Sequence, residues 1–159
     1  MARVPLDNRG FAMVQMFVVK NNSTKMVSAS YKVDSGANLT TISRKTLKDM
    51  GYDESWVKKG QQLKSGECPT VATGDDVPEC YKVILPHISI GGYVGYNWEV
   101  IVTLSPKIDF RNLLGTNSMN FFNWTFDYAN DECRFVLIPQ KRRTLFNQEE
   151  QSIHSVTKL

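Results

Sequence analysis

Between residues 11 and 138 the chain is cut into short runs of β-branched and aromatic residues, each ended by Gly, Pro, Asn or Asp. Runs of that length make strands and leave no room for long helices. Phe11 to Val19 is the first run, Asn21-Asn22-Ser23-Thr24 has turn composition, and Met26 to Val33 returns. The pair reads as a hairpin delivering Asp34 to its tip. Tyr81 to Leu85 and His87 to Ile90, parted by Pro86, continue the series; Gly91-Gly92 turns the chain into a long strand from Tyr93 to Leu104. A last hairpin runs through Trp124 to Tyr128 and Cys133 to Ile138. Helical signals are sparse. Ser43 is an N-cap candidate, Leu47 and Met50 share one face, and Gly51 stands at the C-terminal stop. Asn117 to Phe122 reads as a second short helix, and residues 53–66 as a polar loop anchored by Trp56 and Val57. The pattern predicts an all-β domain, closed or nearly so.

Composition narrows the function classes. The 159 residues suit one domain with one core, 42% hydrophobic and 22% charged. A net charge of +3 without a dense basic stripe argues against a nucleic-acid partner. No apolar window approaches a membrane span, and the first residues lack the apolar core of a secretory signal. Cys68, Cys80 and Cys133 make an odd number, which favours a reducing, cytoplasmic setting over a disulfide framework. Cys68 and Cys80 each stand six residues from Gly74, so they are expected to face each other as a packing pair, a redox clip being the alternative. Asn38-Leu39-Thr40 and Asn123-Trp124-Thr125 are formal glycosylation sequons that a cytosolic protein leaves unmodified. His87 and His154 have no ligand-spaced partners, so no metal site is expected.

The stretch from Tyr31 to Ile42 carries the chemistry. An extended approach runs into Asp34-Ser35-Gly36, the chain turns, and Leu39 to Ile42 leads away. Such a turn has an ordinary explanation, with the Asp side chain bonding its own backbone and Gly supplying a positive φ. It also presents a carboxylate, a hydroxyl and a glycine together. About eighty residues later, Leu113-Leu114-Gly115-Thr116-Asn117 supplies an apolar pair followed by Gly. In that order and spacing the two stretches resemble the D-[ST]-G-A and apolar-apolar-Gly motifs of the retropepsin-like aspartic proteases. The resemblance spans residues 11–138.

That resemblance implies a closed acid-protease barrel with one or two short helices, acting as a homodimer. Peptide hydrolysis in such a site needs two carboxylates sharing one proton. A chain with one Asp-Ser-Gly can supply the second only from a second copy. The resemblance therefore implies Asp34 as the catalytic residue, Ser35, Gly36 and Ala37 as its support, and Leu113, Leu114 and Gly115 as the packing element behind it. Ala72, Thr73, Gly74 and Asp75 fall where the family has its flap, in what reads as an edge hairpin; Asn38, Phe110 and Arg111 fall where substrate is contacted. The substrate would be an extended peptide, no cofactor would be needed, and activity is expected from mildly acidic to near-neutral pH. Residues 1–10 are an expected N-terminal arm, 11–139 the protease domain and 140–159 a polar tail. Dimer contacts are expected from the last hairpin, with Trp124 or Phe126 as anchors. The rival reading is a dimeric binding or scaffold module that keeps the barrel without turnover.

Overall fold

A computed structural model describes residues 1–139 apart from Ala72, Asp75, Asp76 and Pro78. The expected tail and two of the expected flap residues, Ala72 and Asp75, lie outside the described residues. Strand is the predominant regular structure among the described residues. β1 (Ala2–Pro5), β9 (Glu132–Leu137) and β8 (Phe122–Asp127) form a three-stranded sheet in the order β1-β9-β8. A second sheet runs β4 (Gln61–Leu63), β5 (Cys80–Ile90), β2 (Met13–Val19), β3 (Met26–Val33), β7 (Leu113–Leu114), with β6 (Tyr93–Val102) paired to β5. No helix among the described residues is long and apolar enough to cross a membrane.

Alternation sets which face each strand buries. Along β2, Val14, Met16 and Val18 are buried while Gln15 and Phe17 face outward. Along β3, Tyr31 and Val33 enter the core and Lys32 points the other way. The core gathers these with Ile42, Leu47, Met50, Leu85, Ile88, Trp98, Leu114 and Phe135. Gly91 and Gly92 make the β5–β6 turn at φ of +58° and +83°, angles that favour glycine. A Cβ on Gly91 would also stand 2.5 Å from the Phe135 ring and 2.7 Å from Ala2. The hairpin tip is thus pressed onto the smaller sheet.

Several expectations need correcting. The first ten residues, expected as an arm, supply β1, which pairs with β9 from Ala2↔Phe135 to Pro5↔Glu132. Residues 53–66, expected as a loop, contain a helix α2 (Glu54–Lys58). Its cap is legible in hindsight, because the Trp56 N–H donates to Asp53 Oδ1 at 2.9 Å. Helix α1 (Arg44–Asp49) has the expected Ser43 cap, bonded from the Thr46 N–H at 3.1 Å. Pro86 does not divide two strands. It lies within β5, in the stretch with neither β4 nor β2 alongside, so its missing N–H costs little there. The β2–β3 hairpin turns at residues 20–25, so Asp34 lies at the opposite, open end and not at its tip.

A closed barrel is not formed by strands alone. Where β6 and β7 would have to meet, Thr41 alone among the described residues bridges them, pairing with Ile101 on one side and Leu113 on the other. The expected edge hairpin before β5 shows its turn, where the Gly74 N–H donates to the Val71 carbonyl at 2.8 Å with Gly74 at φ +82°. Among the described residues before Cys80 in that segment, none is in a strand. Cys68 and Cys80 are not a packing pair: they form a disulfide, with Cα atoms 6.0 Å apart. The turn brings two equidistant residues within bonding reach, as the spacing allowed. The count of three cysteines misled because one of them, Cys133, is a buried free thiol in the core.

Candidate active site

Asp34 follows directly on β3, and three sets of bonds fix its loop. Its own N–H donates to the Leu114 carbonyl at 3.0 Å. Its Oδ1 accepts the Gly36 N–H at 2.9 Å, and its carbonyl accepts the Ala37 N–H at 3.1 Å. The carboxylate is half-buried while Ser35 and Gly36 are exposed. Gly36 is not there for a positive φ, contrary to the turn reading. A Cβ at that position would stand 3.2 Å from Asp34 Oδ1, crowding the oxygen its amide bonds. The loop holds one carboxylate oxygen by a backbone donor and keeps the hydroxyl of Ser35 at the surface.

The second motif lies directly against this loop. β7 pairs in parallel with β3, Lys32↔Leu113 and Val33↔Leu114. On its other side the Thr41 N–H donates to the Leu113 carbonyl at 3.0 Å. Past Gly115 the chain forms helix α3 (Thr116–Met119), where the Thr116 N–H reaches the Ala37 carbonyl at 2.8 Å. The approach is close enough that a Cβ on Gly115 would sit 2.5 Å from the Leu39 carbonyl carbon and oxygen. Only glycine fits between those backbones.

The residue that locks the two stretches together was not singled out from the sequence. Thr40 is fully buried, and its Oγ1 donates to Asn117 Oδ1 at 2.9 Å while accepting the Gly115 N–H at 3.2 Å. Ser118 Oγ stands 2.5 Å from the same oxygen, and the Thr40 N–H also donates to Asn117 Oδ1 at 2.9 Å. Every capacity of that hydroxyl is used. Alternation around the buried Ile42 was the available signal, since it places Thr40 on the same inner side. Arg44 was missed too. Its guanidinium donates to the carbonyls of Thr103, Ser105 and Ile108 at 3.1, 2.6 and 2.7 Å, and so shapes the connection leading to Phe110.

The remaining expected site residues are scattered more widely. Asn38 is exposed, its carbonyl accepting the Asn117 N–H at 3.3 Å. Arg111 is exposed, and its carbonyl accepts the Thr41 Oγ1 proton at 2.6 Å. Phe110 is buried with Leu63, Val77, Cys80 and Ile101, against the disulfide. Thr73 and Gly74 are exposed at their turn. Of the expected dimer anchors, Trp124 is engaged within its own chain, its Nε1–H donating to the Met119 carbonyl at 2.9 Å and its ring stacked on Phe135. Phe126 remains partly exposed beside Tyr128.

A scan of protein-family models finds no match to the chain, and a search of curated proteins finds none either. Among solved structures, the chain is similar to the crystal structure of a retropepsin-like aspartic protease from Rickettsia conorii, at 20% identity and a TM-score of 0.57. The alignment covers 82% of this chain and 84% of that one. The fold, mostly β with a few short helices, is thus that of a retropepsin-like aspartic protease.

Proposed function

We propose that this chain is an aspartic endopeptidase that works as a homodimer on extended peptides. The observation that carries the reading is the Asp34 loop: a half-buried carboxylate at the end of β3, one oxygen held by the Gly36 N–H and the loop bonded to Leu114. The retropepsin-like fold supports it.

In this reading a twofold axis sets Asp34 against its mate. Two carboxylates about 3 Å apart cannot both ionise, so the pair holds one proton between them. The charged member takes a proton from a bound water, which attacks the peptide carbonyl carbon; the protonated member gives its proton to the carbonyl oxygen. Collapse of the tetrahedral species breaks the C–N bond, with a proton passing to the leaving nitrogen. Ser35 supports the dyad from below, and the turn at Thr73 and Gly74 closes over substrate, excluding water. Asn38 and Arg111, both exposed, contribute to substrate contacts, whereas Phe110 is buried against the disulfide and does not face substrate. No cofactor takes part. A Cys68–Cys80 disulfide fits an oxidising compartment better than the cytoplasmic setting expected from the odd number of cysteines.

The test is binding of a pepstatin-type transition-state mimic followed by sedimentation and calorimetry. One inhibitor per two chains, with association strengthened by the inhibitor, is the expected result. One inhibitor per chain, or none bound by a stable dimer, would overturn the shared dyad.

A further inference from the structure

We propose that Lys32 and Arg111 form a cationic wall beside Asp34 that selects an acidic side chain next to the bond to be cut. This deepens the peptidase reading and rests on Asp34 being its catalytic residue. The strand alternation places the first cation. Tyr31 and Val33 are buried, so Lys32 is on the opposite face, the one toward which Asp34 follows two residues later. Its cross-strand neighbours are Met13 on β2 and Leu113 on β7, both half-buried. Lys32 therefore stands between two apolar side chains, one step from the carboxylate.

The ammonium is held in place without being neutralised. Lys32 Nζ lies 3.8 Å from the centroid of the Phe11 ring, with the Arg9 guanidinium 5.1 Å from the same ring. A ring face orients a cation but leaves its charge available to a carboxylate. Arg9 has a partner in Asp7 at 3.6 Å. Elsewhere, Lys82 pairs with Glu99, Lys45 with Asp49, Lys58 with Glu54, and Arg134 with Asp127 and Glu132. Neither Lys32 nor Arg111 has a carboxylate within ion-pair distance among the described residues, Asp34 included.

The second cation is tied to the same level of the sheet. The Lys32 N–H donates to the Asn112 carbonyl at 3.0 Å, directly after Arg111, and the Arg111 carbonyl is pinned by Thr41 Oγ1 at 2.6 Å. The backbone of Arg111 is fixed while its exposed guanidinium is free. Two cations on adjacent elements, unpaired among the described residues, with Leu113 on the side of Lys32 nearer Arg111, suit a side chain that ends in a carboxylate after a short aliphatic stem. Glutamate has that form.

The test uses the full chain and end-blocked peptides, so that a side-chain carboxylate is the only acid offered. Peptides carrying Glu, Gln, Leu or Lys beside the scissile bond are compared by kcat/KM and by fluorescence anisotropy. The native chain is expected to prefer Glu over Gln about tenfold, the scale of one charge-assisted contact, with the preference shrinking as salt rises. Lys32→Met keeps the stem and should lose most of that ratio, Arg111→Met part of it, and Lys32→Glu should favour the Lys peptide. Circular dichroism checks that each variant is folded. Equal ratios in the native chain and Lys32→Met, or a native preference for Leu or Lys, would overturn the wall. Anisotropy on Asp34→Asn separates the two ideas. A retained Glu preference with cleavage lost supports both. A retained preference with cleavage unchanged supports the wall and removes Asp34 as the catalyst. No preference and no binding removes the wall.

Discussion

Replacing Thr40 by Val changes shape very little and removes one hydroxyl at the point where the Asp34 loop meets the second motif. Three groups lose it: the Gly115 N–H at 3.2 Å, Ser118 Oγ at 2.5 Å and Asn117 Oδ1 at 2.9 Å. Asn117 Oδ1 keeps the Thr40 N–H, so its loss is small. The Gly115 N–H is buried, and an orphaned buried donor costs about 1–3 kcal/mol. Adding about 1 kcal/mol for the Ser118 contact gives roughly 2–4 kcal/mol in all. That corresponds to a fall in Tm of roughly 5–15 °C for a domain of this size. Thr40→Ser keeps the oxygen and loses a methyl, for a cost of about 1 kcal/mol. Urea unfolding at neutral pH measures both, with an unchanged m-value as the check that the denatured state is the same. A Thr40→Val cost below about 0.5 kcal/mol, within ordinary surface noise, would refute the lock. So would Thr40→Ser proving as damaging as Thr40→Val.

Three further outcomes follow from the packing and the charges. Gly115→Ala should destabilise by about 3 kcal/mol or more, because its Cβ meets Leu39 backbone at 2.5 Å, while Gly66→Ala, with nothing within 4 Å, should be nearly neutral in the same urea titration. Reducing the Cys68–Cys80 bond opens a loop with a sequence separation of 12 and should cost about 3 kcal/mol, read as a lower urea midpoint with dithiothreitol; Cys133, its thiol pushed up to about 11 by burial, should stay unlabelled by iodoacetamide until the chain unfolds. Asp7, Asp53 and Asp127 are held below the usual carboxylate range, chiefly by the Phe11 N–H, the Trp56 N–H and the Asn130 side chain respectively. Their folded-state values lie below the unfolded ones, so their stabilisation is present above about pH 4 and is lost as pH falls through the depressed values. The urea midpoint should therefore drop as pH falls below about 4, and a midpoint that rose on acidification would contradict the assignment.

How much of this was legible depended on whether the signal was local. The β3 boundaries, the Ser43 cap and the last hairpin could be read because alternation, a cap side chain and a turn act over a few residues. The short pairing of β1 with β9 could not, since Ala2–Pro5 carries no signal for a partner more than a hundred residues away. Helix α2 was lost to its polar composition, with its Asp53 cap the overlooked cue. At the site, the two motifs told which stretches meet. The way they are held rests on Thr40 and Arg44, whose roles depend on carbonyls and side chains roughly sixty to eighty residues distant. Gly36 shows the same limit from the other side: the turn composition offered positive φ as its reason, whereas the nearness of Asp34 Oδ1 fits the supporting place beside the carboxylate that the family resemblance implied.

Whether Asp34 hydrolyses peptides is measured directly by digestion of a mixed peptide library across about pH 3.5 to 7.5 by the native chain and by Asp34→Asn. The substitution is nearly isosteric and leaves Oδ1 able to accept the Gly36 N–H, so the fold should survive it. Internal cleavage is expected from the native chain, with none above background from Asp34→Asn at any pH. Equal cleavage by both, or a folded, dimeric native chain that cuts nothing across the range, would contradict it.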